Sequence, residues 1–131
     1  MPLELHLVTP EREVWAGEAD FVIARSVAGD IGILPGHAPT LAALDVGPVV
    51  IEAGGQRTTL VVDGGFLHVG ELGEGTTVDI LAEHAVLQDD LGGEDPAEFE
   101  RRAEELRNDG RFDDARVEQS KADTRRRLAG G

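Results

Sequence analysis

The sequence predicts a protein of the α+β class, in which an N-terminal antiparallel β-sandwich of about ten strands is followed by a C-terminal α-helical hairpin. Apolar residues in the first part come in short, often alternating runs, which is the spacing of β-strands. The composition changes near residues 92–93: Leu, Ile, Val and Phe make up 30 of the first 88 residues but only 6 of the last 43. We therefore expect two domains, residues 1–88 and 89–131.

Glycine and proline turns separate the apolar runs at intervals of eight to twelve residues. Many short strands without an intervening helical period favour an antiparallel sandwich or barrel. The clearest hairpin joins two apolar runs through Gly54 and Gly55. The runs that predict strands are residues 3–7, 21–23, 49–51, 60–62, 66–69 and 78–80.

The first helix is predicted from its capping residues. Asp95 is a favourable N-cap, Pro96 suits the first helical position, and Glu98 completes a capping box. The helix should end near residues 108–110, where Gly110 can adopt the left-handed conformation. Three residues share its apolar face: Phe99, Ala103 and Leu106.

A second helix is predicted from about residue 112 to residue 128, with Phe112, Ala115 and Ala122 on its apolar side. The two helices together hold few large apolar side chains. Their burial does not offset the conformational entropy lost by the ordered backbone. We therefore expect a marginal hairpin that depends on docking, either onto the sandwich or onto another protein.

Composition excludes several classes of function. The chain has no cysteine, which excludes disulfides, thiolate catalysis and cysteine zinc sites. Its net charge of −14 argues against nucleic acid and anionic lipid as partners. No stretch approaches the roughly 18 apolar residues needed to cross a bilayer, so we expect any membrane association to be indirect.

No catalytic, metal or cofactor site is predicted. The four histidines lack the spacing of a metal site, and the glycine pairs lack the Lys-Ser/Thr of a phosphate loop. Adjacent carboxylates such as Asp89 and Asp90 are typical of solvated element ends. We expect a protein that works by binding other molecules.

Residues 29–40 hold three glycines and two prolines around one apolar triplet, which predicts a stiff surface loop. Asp30, His37 and Thr40 are its only polar side chains, and no nearby Ser, Cys or Lys completes a nucleophile. We interpret this segment as a contact element of fixed shape.

The C-terminal helix carries a basic cluster. The arginines at 125–127 span a wide arc of the helix and cannot all pair with the few acids of that helix. Such a cluster serves either as a solubilising helix end, favoured by the helix dipole, or as a docking surface. Its members are Arg111, Arg116, Lys121, Arg125, Arg126 and Arg127.

Four segments of the sequence point to one known family. Residues 29–39 read Gly-Asp-Ile-Gly-Ile-Leu-Pro-Gly-His-Ala-Pro, and residues 62–69 read Val-Asp-Gly-Gly-Phe-Leu-His-Val. Together with residues 5–10 and 78–85, they resemble the signature loop, the central Gly-Gly strand pair and the first and last strands of that family. Over nearly its whole length the chain thus resembles the epsilon subunit of bacterial F-type ATP synthases.

The resemblance implies a non-catalytic subunit of the central rotor stalk, which couples c-ring rotation to ATP synthesis in a proton-translocating enzyme. It also implies a peripheral location on the cytoplasmic face of the bacterial plasma membrane. The sandwich would bind the gamma subunit and rest on the polar loops of the c-ring. The ring contacts that it implies are Gly29, Asp30, Gly36, His37, Ala38 and Pro39.

For the helices, the resemblance implies two positions: either folded on the sandwich, or extended along gamma to the alpha/beta hexamer, where they inhibit ATP hydrolysis. The basic contacts would be Arg116, Lys121, Arg125, Arg126 and Arg127. Some family members bind ATP through the motif Ile/Leu-Asp-x-x-Arg-Ala. Here residues 90–97 read Asp-Leu-Gly-Gly-Glu-Asp-Pro-Ala, so we expect no ATP binding through that motif.

Two functions from other classes also fit part of the sequence. One is a free-standing acidic β-sandwich that binds a small ligand. The other is a small hydrolase that uses Asp30 and His37, which fails for want of a nucleophile. Co-purification with a gamma-like coiled coil would distinguish the stalk subunit from both.

Overall fold

The structure is a computed structural model that describes residues 2–129, so the outermost ends of the two predicted domains, Met1 and residues 130–131, lie outside it. Within this range, eight strands precede two α-helices. The strands are β1 (Leu3–Val8), β2 (Glu13–Ala19), β3 (Phe21–Ser26), β4 (Gly29–Ile33), β5 (Thr40–Ala53), β6 (Gln56–Leu72), β7 (Gly75–Ala82) and β8 (Ala85–Leu87). A 3-10 segment, Gln88–Gly93, leads to α1 (Pro96–Asn108) and α2 (Phe112–Ala129).

The strands form one continuous sheet in the order β2-β1-β7-β6-β5-β3-β4, with β8 paired to β6. Residues 56–63 of β6 pair with β8 and the second half of β5, whereas residues 65–72 pair with β7 and the first half of β5. The predicted sandwich followed by a helical hairpin is confirmed. The described residues hold eight strands rather than about ten, because β5 and β6, 14 and 17 residues long, each serve both layers.

The passage of β6 between layers depends on glycine. Gly64 and Gly65 have φ angles of 94° and 141°, which side chains rarely adopt. A Cβ atom on Gly65 would lie 2.0 Å from the carbonyl oxygen of Leu81 in the neighbouring β7. The glycine pair therefore permits both the turn of the backbone and its close approach to β7.

The sandwich has a hydrophobic core of its own. Its buried residues all lie between Leu3 and Ala85, and neither helix contributes to the buried cluster. Alternate residues of β1, Leu3, Leu5 and Leu7, are fully buried, as period-2 spacing predicts. One pair departs from the antiparallel expectation, because β1 runs parallel to β7.

Residues 29–40 are not a single loop, and that prediction is wrong for their first half. Gly29–Ile33 form β4, which pairs with β3 and lies at one edge of the sheet. Ile33 is buried in the sandwich core, and Ile31 packs against that core, so apolar burial draws this segment into the sheet. Only residues 34–39 form a connecting turn.

The hairpin begins and turns as predicted. The Asp95 side chain accepts a hydrogen bond from the Ala97 amide at 3.0 Å, and Gly110 has a φ angle of 78°. A capping box would also need the Glu98 side chain to accept a hydrogen bond from the Asp95 amide, but Glu98 pairs with Arg101 instead. Phe112, expected on the apolar side, is instead 67% exposed at the first position of α2. Over the described residues, neither helix is long and apolar enough to cross a membrane.

Candidate functional site

An exposed apolar patch lies on the outer face of the layer formed by β5, β6 and β7. Phe66 and Leu81 lie directly opposite each other across β6 and β7, and they are 54% and 55% exposed. Their neighbours Leu67 and Ile80 are in the core, so alternation places this pair outside. Leu41 of β5 is 70% exposed on the same face. We call Leu41, Phe66 and Leu81 the outer apolar patch, and such patches mark docking surfaces.

The six predicted ring contacts lie in β4 and in the turn that follows it. Gly29 and Asp30 open the strand at the turn from β3, where the Arg25 Nε donates to the Asp30 carboxylate at 3.2 Å. The other four follow the far end of the strand. The structure therefore separates the six residues into two groups at opposite ends of β4, with the second group being Gly36, His37, Ala38 and Pro39.

The turn after β4 is held by hydrogen bonds that its backbone amides donate to β7 and to the turn itself. The Gly36 amide donates to Thr76 Oγ1 at 2.8 Å, and the His37 amide donates to the Leu34 carbonyl at 3.0 Å. The His37 Nδ1 atom lies 2.8 Å from the Ala38 carbonyl oxygen. Because a strand separates His37 from Asp30, the two side chains do not form the acid/base pair that a hydrolase would need.

The Arg25 side chain is held in place by packing as well as by its ion pair with Asp30. Its aliphatic stem packs over Gly47, where a Cβ atom would lie 2.9 Å from the Arg25 Cβ. The Asp30 side chain remains 64% exposed despite this pairing. Asp30 can therefore offer its carboxylate to a second cation on another molecule.

The Arg125 guanidinium is buried where the sandwich, the linker (residues 88–95) and both helices meet. Its two terminal nitrogens donate to the Asp63 carboxylate oxygens at 2.9 and 2.7 Å, and its Nε donates to Glu94. The Arg125 Cζ atom lies 4.4 Å from the centroid of the Phe99 ring. Arg125 is 1% exposed and is the largest fully buried side chain of the described residues. We call Asp63, Glu94 and Arg125 the interdomain triad.

The charges of the triad stabilise one another. Burial disfavours the charged form of Arg125, but its hydrogen bonds to Asp63 and Glu94 outweigh burial and raise the pKa of Arg125. Burial also disfavours ionised Glu94, yet hydrogen bonds from Arg125 and His84 lower the pKa of Glu94 below its ordinary value. The Nε2 atom of His84 lies 3.0 Å from the Glu94 carboxylate. Arg125 and Glu94 are therefore both charged at neutral pH.

The other basic residues of α2 differ in their surroundings. Arg126 pairs with Glu100 of α1, and Lys121 pairs with a carboxylate of its own helix. Arg116 and Arg127 are exposed, and no carboxylate of residues 2–129 lies within 4.0 Å of either guanidinium. The docked hairpin thus leaves two of the five predicted inhibitory residues free for a partner.

Sequence reasoning missed the partners of Arg125, because it looked for them only on the same helix. Asp63 lies 62 residues away in sequence, at the end of the apolar run 60–62. A single carboxylate in a buried strand needs a cationic partner. That signal could have indicated a long-range pair between Asp63 and an arginine of the hairpin.

Comparison with known proteins gives one family model and many relatives. The family described as ATP synthase, Delta/Epsilon chain, beta-sandwich domain matches residues 2–88. The ATP synthase epsilon chain of Streptomyces coelicolor is 41% identical over 134 residues, covering 100% of this chain and 99% of that one. The epsilon chain of Frankia casuarinae is 48% identical over 88 residues, covering 66% of this chain and 99% of that one.

Two solved structures have a similar fold. A chain from the Euglena gracilis mitochondrial ATP synthase (OSCP/F1/c-ring) aligns with a TM-score of 0.74 and 22% identity, covering 94% of this chain and 78% of that one. A chain from the Tetrahymena thermophila mitochondrial ATP synthase central stalk and c-ring aligns with a TM-score of 0.59 and 17% identity, covering 70% of each chain. At these identities the likeness concerns the fold.

Proposed function

Because the chain belongs to the ATP synthase epsilon chain family, it is a non-catalytic subunit of an F-type ATP synthase, and we propose how it is held in the central rotor stalk. The family model and the full-length Streptomyces relative support this premise. The subunit belongs to the peripheral F1 sector of a membrane-associated enzyme. We place it on the cytoplasmic face of the bacterial plasma membrane, where it couples c-ring rotation to ATP synthesis.

The outer apolar patch is the proposed contact with the gamma subunit. Leu41, Phe66 and Leu81 expose apolar side chains on the same face of the neighbouring strands β5, β6 and β7. A soluble domain gains by covering such a surface with a permanent partner. This patch is the observation on which the proposal depends.

Co-purification with gamma tests this contact. Phe66→Ser or Leu81→Ser should weaken binding to gamma by at least about thirtyfold, because central apolar contacts contribute about 2 kcal/mol or more. Val27→Ser is the matched control, since Val27 is 69% exposed at the turn between β3 and β4. Gamma binding of wild-type strength in both patch variants would refute the assignment.

The β4 edge is the proposed contact with the polar loops of the c-ring. One group opens β4 and the other lies in the turn that follows it, so both can face the ring if this segment lies along the ring. Asp30 supplies the negative charge for a basic group of the ring. The neutral turn of residues 36–39 supplies a fixed shape at the other end of the strand.

The hairpin is the proposed inhibitor of ATP hydrolysis, acting on the alpha/beta hexamer through its basic residues. Arg116 and Arg127 are already exposed, whereas Arg125 must leave the sandwich before it can contact another subunit. We also propose that ATP is not a ligand of the docked hairpin. The chain lacks the family motif, and Asp63 and Glu94 already satisfy the buried guanidinium.

A further inference from the structure

Charge, rather than apolar contact, holds the hairpin to the sandwich. Of the buried hairpin residues only Arg125 is large, the others being Ala103, Ala115, Ala122 and Thr124. A second polar tie joins the Gln88 side chain to the Leu128 carbonyl at 2.9 Å. Docking of the hairpin therefore depends chiefly on the groups that surround Arg125.

Those groups come from three different parts of the chain. Asp63 belongs to β6, Glu94 to the linker and Phe99 to α1, so one guanidinium ties all of them to α2. Asp63 is only 6% exposed in the docked state. Without Arg125 this carboxylate would be a buried charge that lacks its bidentate partner, which is strongly destabilising.

We propose that Asp63 and Glu94 form a latch that keeps Arg125, and with it the hairpin, out of the inhibitory contact. The inference rests on the inhibitory role proposed above. A guanidinium that is 1% exposed cannot contact a second protein. Arg125 can therefore contact either Asp63 and Glu94 or the alpha/beta hexamer, but not both. The hairpin inhibits only after Arg125 has separated from Asp63 and Glu94.

Amide hydrogen exchange on the full isolated chain tests the latch directly. Arg125→Met keeps most of the side-chain bulk but leaves Asp63 unpaired, so the ratio of docked to released hairpin should fall on the order of a hundredfold. The released helices are marginal alone, so the α2 amides should exchange correspondingly faster. Arg127→Met is the matched control, since Arg127 is exposed two residues away and should leave exchange unchanged. Wild-type protection of α2 in Arg125→Met would overturn the latch.

A double variant separates the latch from general damage at this position. Replacing a buried ion pair by apolar residues is often neutral, whereas removing one partner is not. Asp63→Leu combined with Arg125→Met should therefore restore α2 protection that each single variant loses. Additive losses in the double variant would overturn the proposal. Amides of β1 and β7 report whether the sandwich itself remains folded, and Asp63→Asn serves as an isosteric second variant if Asp63→Leu does not fold.

ATP hydrolysis by the assembled enzyme then distinguishes the latch from the inhibitory role. Asp63→Asn frees the hairpin and leaves Arg125 intact, so hydrolysis should fall below the wild-type rate. Arg125→Met also frees the hairpin but removes a contact residue, so it should inhibit less than Asp63→Asn. If exchange shows release in Asp63→Asn while hydrolysis is unchanged, the latch stands and the inhibitory function fails. If exchange shows no release, the latch fails whatever the hydrolysis rate.

Discussion

Arg25 and Asp30 lie opposite each other on β3 and β4, with the Arg25 Nε 3.2 Å from an Asp30 carboxylate oxygen. Their side chains are 37% and 64% exposed. An ion pair this open to water contributes only about 0–1 kcal/mol to stability. The pair therefore orients the Asp30 carboxylate without occupying it fully, as a contact residue on the outside of the sandwich requires.

Asp30→Asn should separate coupling from folding. The free energy of unfolding should change by less than about 1 kcal/mol, whereas ATP-driven proton pumping by the assembled enzyme should fall. His37→Ala, at the far end of β4, should also reduce pumping if the whole edge faces the ring. Normal pumping in Asp30→Asn would remove this residue from the ring contact, and normal pumping in His37→Ala alone would restrict the contact to the β3–β4 end.

Gly65→Ala should be among the most destabilising single substitutions in the sandwich. The new Cβ would lie 2.0 Å from the Leu81 carbonyl oxygen, at a φ angle of 141°, so the loss should be about 3 kcal/mol or more. Gly54→Ala is the control, because Gly54 also has a positive φ angle but has open space around it. That variant should lose only about 1 kcal/mol. Urea unfolding of both variants measures the difference, and equal losses would contradict the packing argument.

Deletion of residues 94–131 should leave assembly intact and raise ATP hydrolysis. The sandwich core is complete without the helices, and the outer apolar patch lies entirely within the retained strands. The truncated subunit should therefore still bind gamma. Steady-state hydrolysis by the reconstituted enzyme is the measurement. A rate equal to that of the Asp63→Asn subunit, whose hairpin is released, would rule out an inhibitory role for the hairpin.

Hairpin docking should weaken in acid through Glu94. The pKa of Glu94 is lowered in the docked state from its ordinary value of about 4.5. A lowered carboxylate pKa contributes stability that is present above pH 4.5 and is lost as pH falls through the lowered value. The Arg125 Nε–H resonance, set in the docked state by its hydrogen bond to Glu94, should thus shift toward that of a free guanidinium as pH falls through the lowered pKa of Glu94.

Glu94→Gln isolates this contribution. The hairpin of this variant should dock more weakly at neutral pH. Its release in acid should lack the contribution of Glu94, because Gln does not titrate, whereas Asp63 and His84 are still present at the site. An unchanged acid transition in this variant would assign the pH dependence to the other groups of the site.

The sandwich could be predicted because its signals are local. Alternating apolar residues and glycine turns specify strands, and Asp95 and Gly110 specify where the first helix begins and ends. The number of strands could not be predicted, because no local signal shows whether β6 continues through Gly64 and Gly65 as one bent strand or divides there into two. The assignment of β4 failed for a similar reason: glycine and proline suggested a loop, while core burial of Ile33 held the backbone in the sheet.

The candidate site was predicted less well than the fold. Asp30 and the basic residues of α2 could be named from their sequence motifs and charge. Their pairing could not, since the contact of Arg125 with Asp63 depends on how the hairpin docks onto the sandwich. The outer apolar patch was also missed, because Phe66 and Leu81 come together only through the register of β6 and β7.

The parallel pairing of β1 with β7 determines when this subunit can first bind a partner. Leu5 lies opposite Val78, so almost the whole sandwich sequence must leave the ribosome before the first strand finds this neighbour. Leu81 of the outer apolar patch belongs to the same late strand. The proposed gamma-binding face is therefore incomplete until β7 has been synthesised and has paired with β1, and gamma can bind this face only after that step.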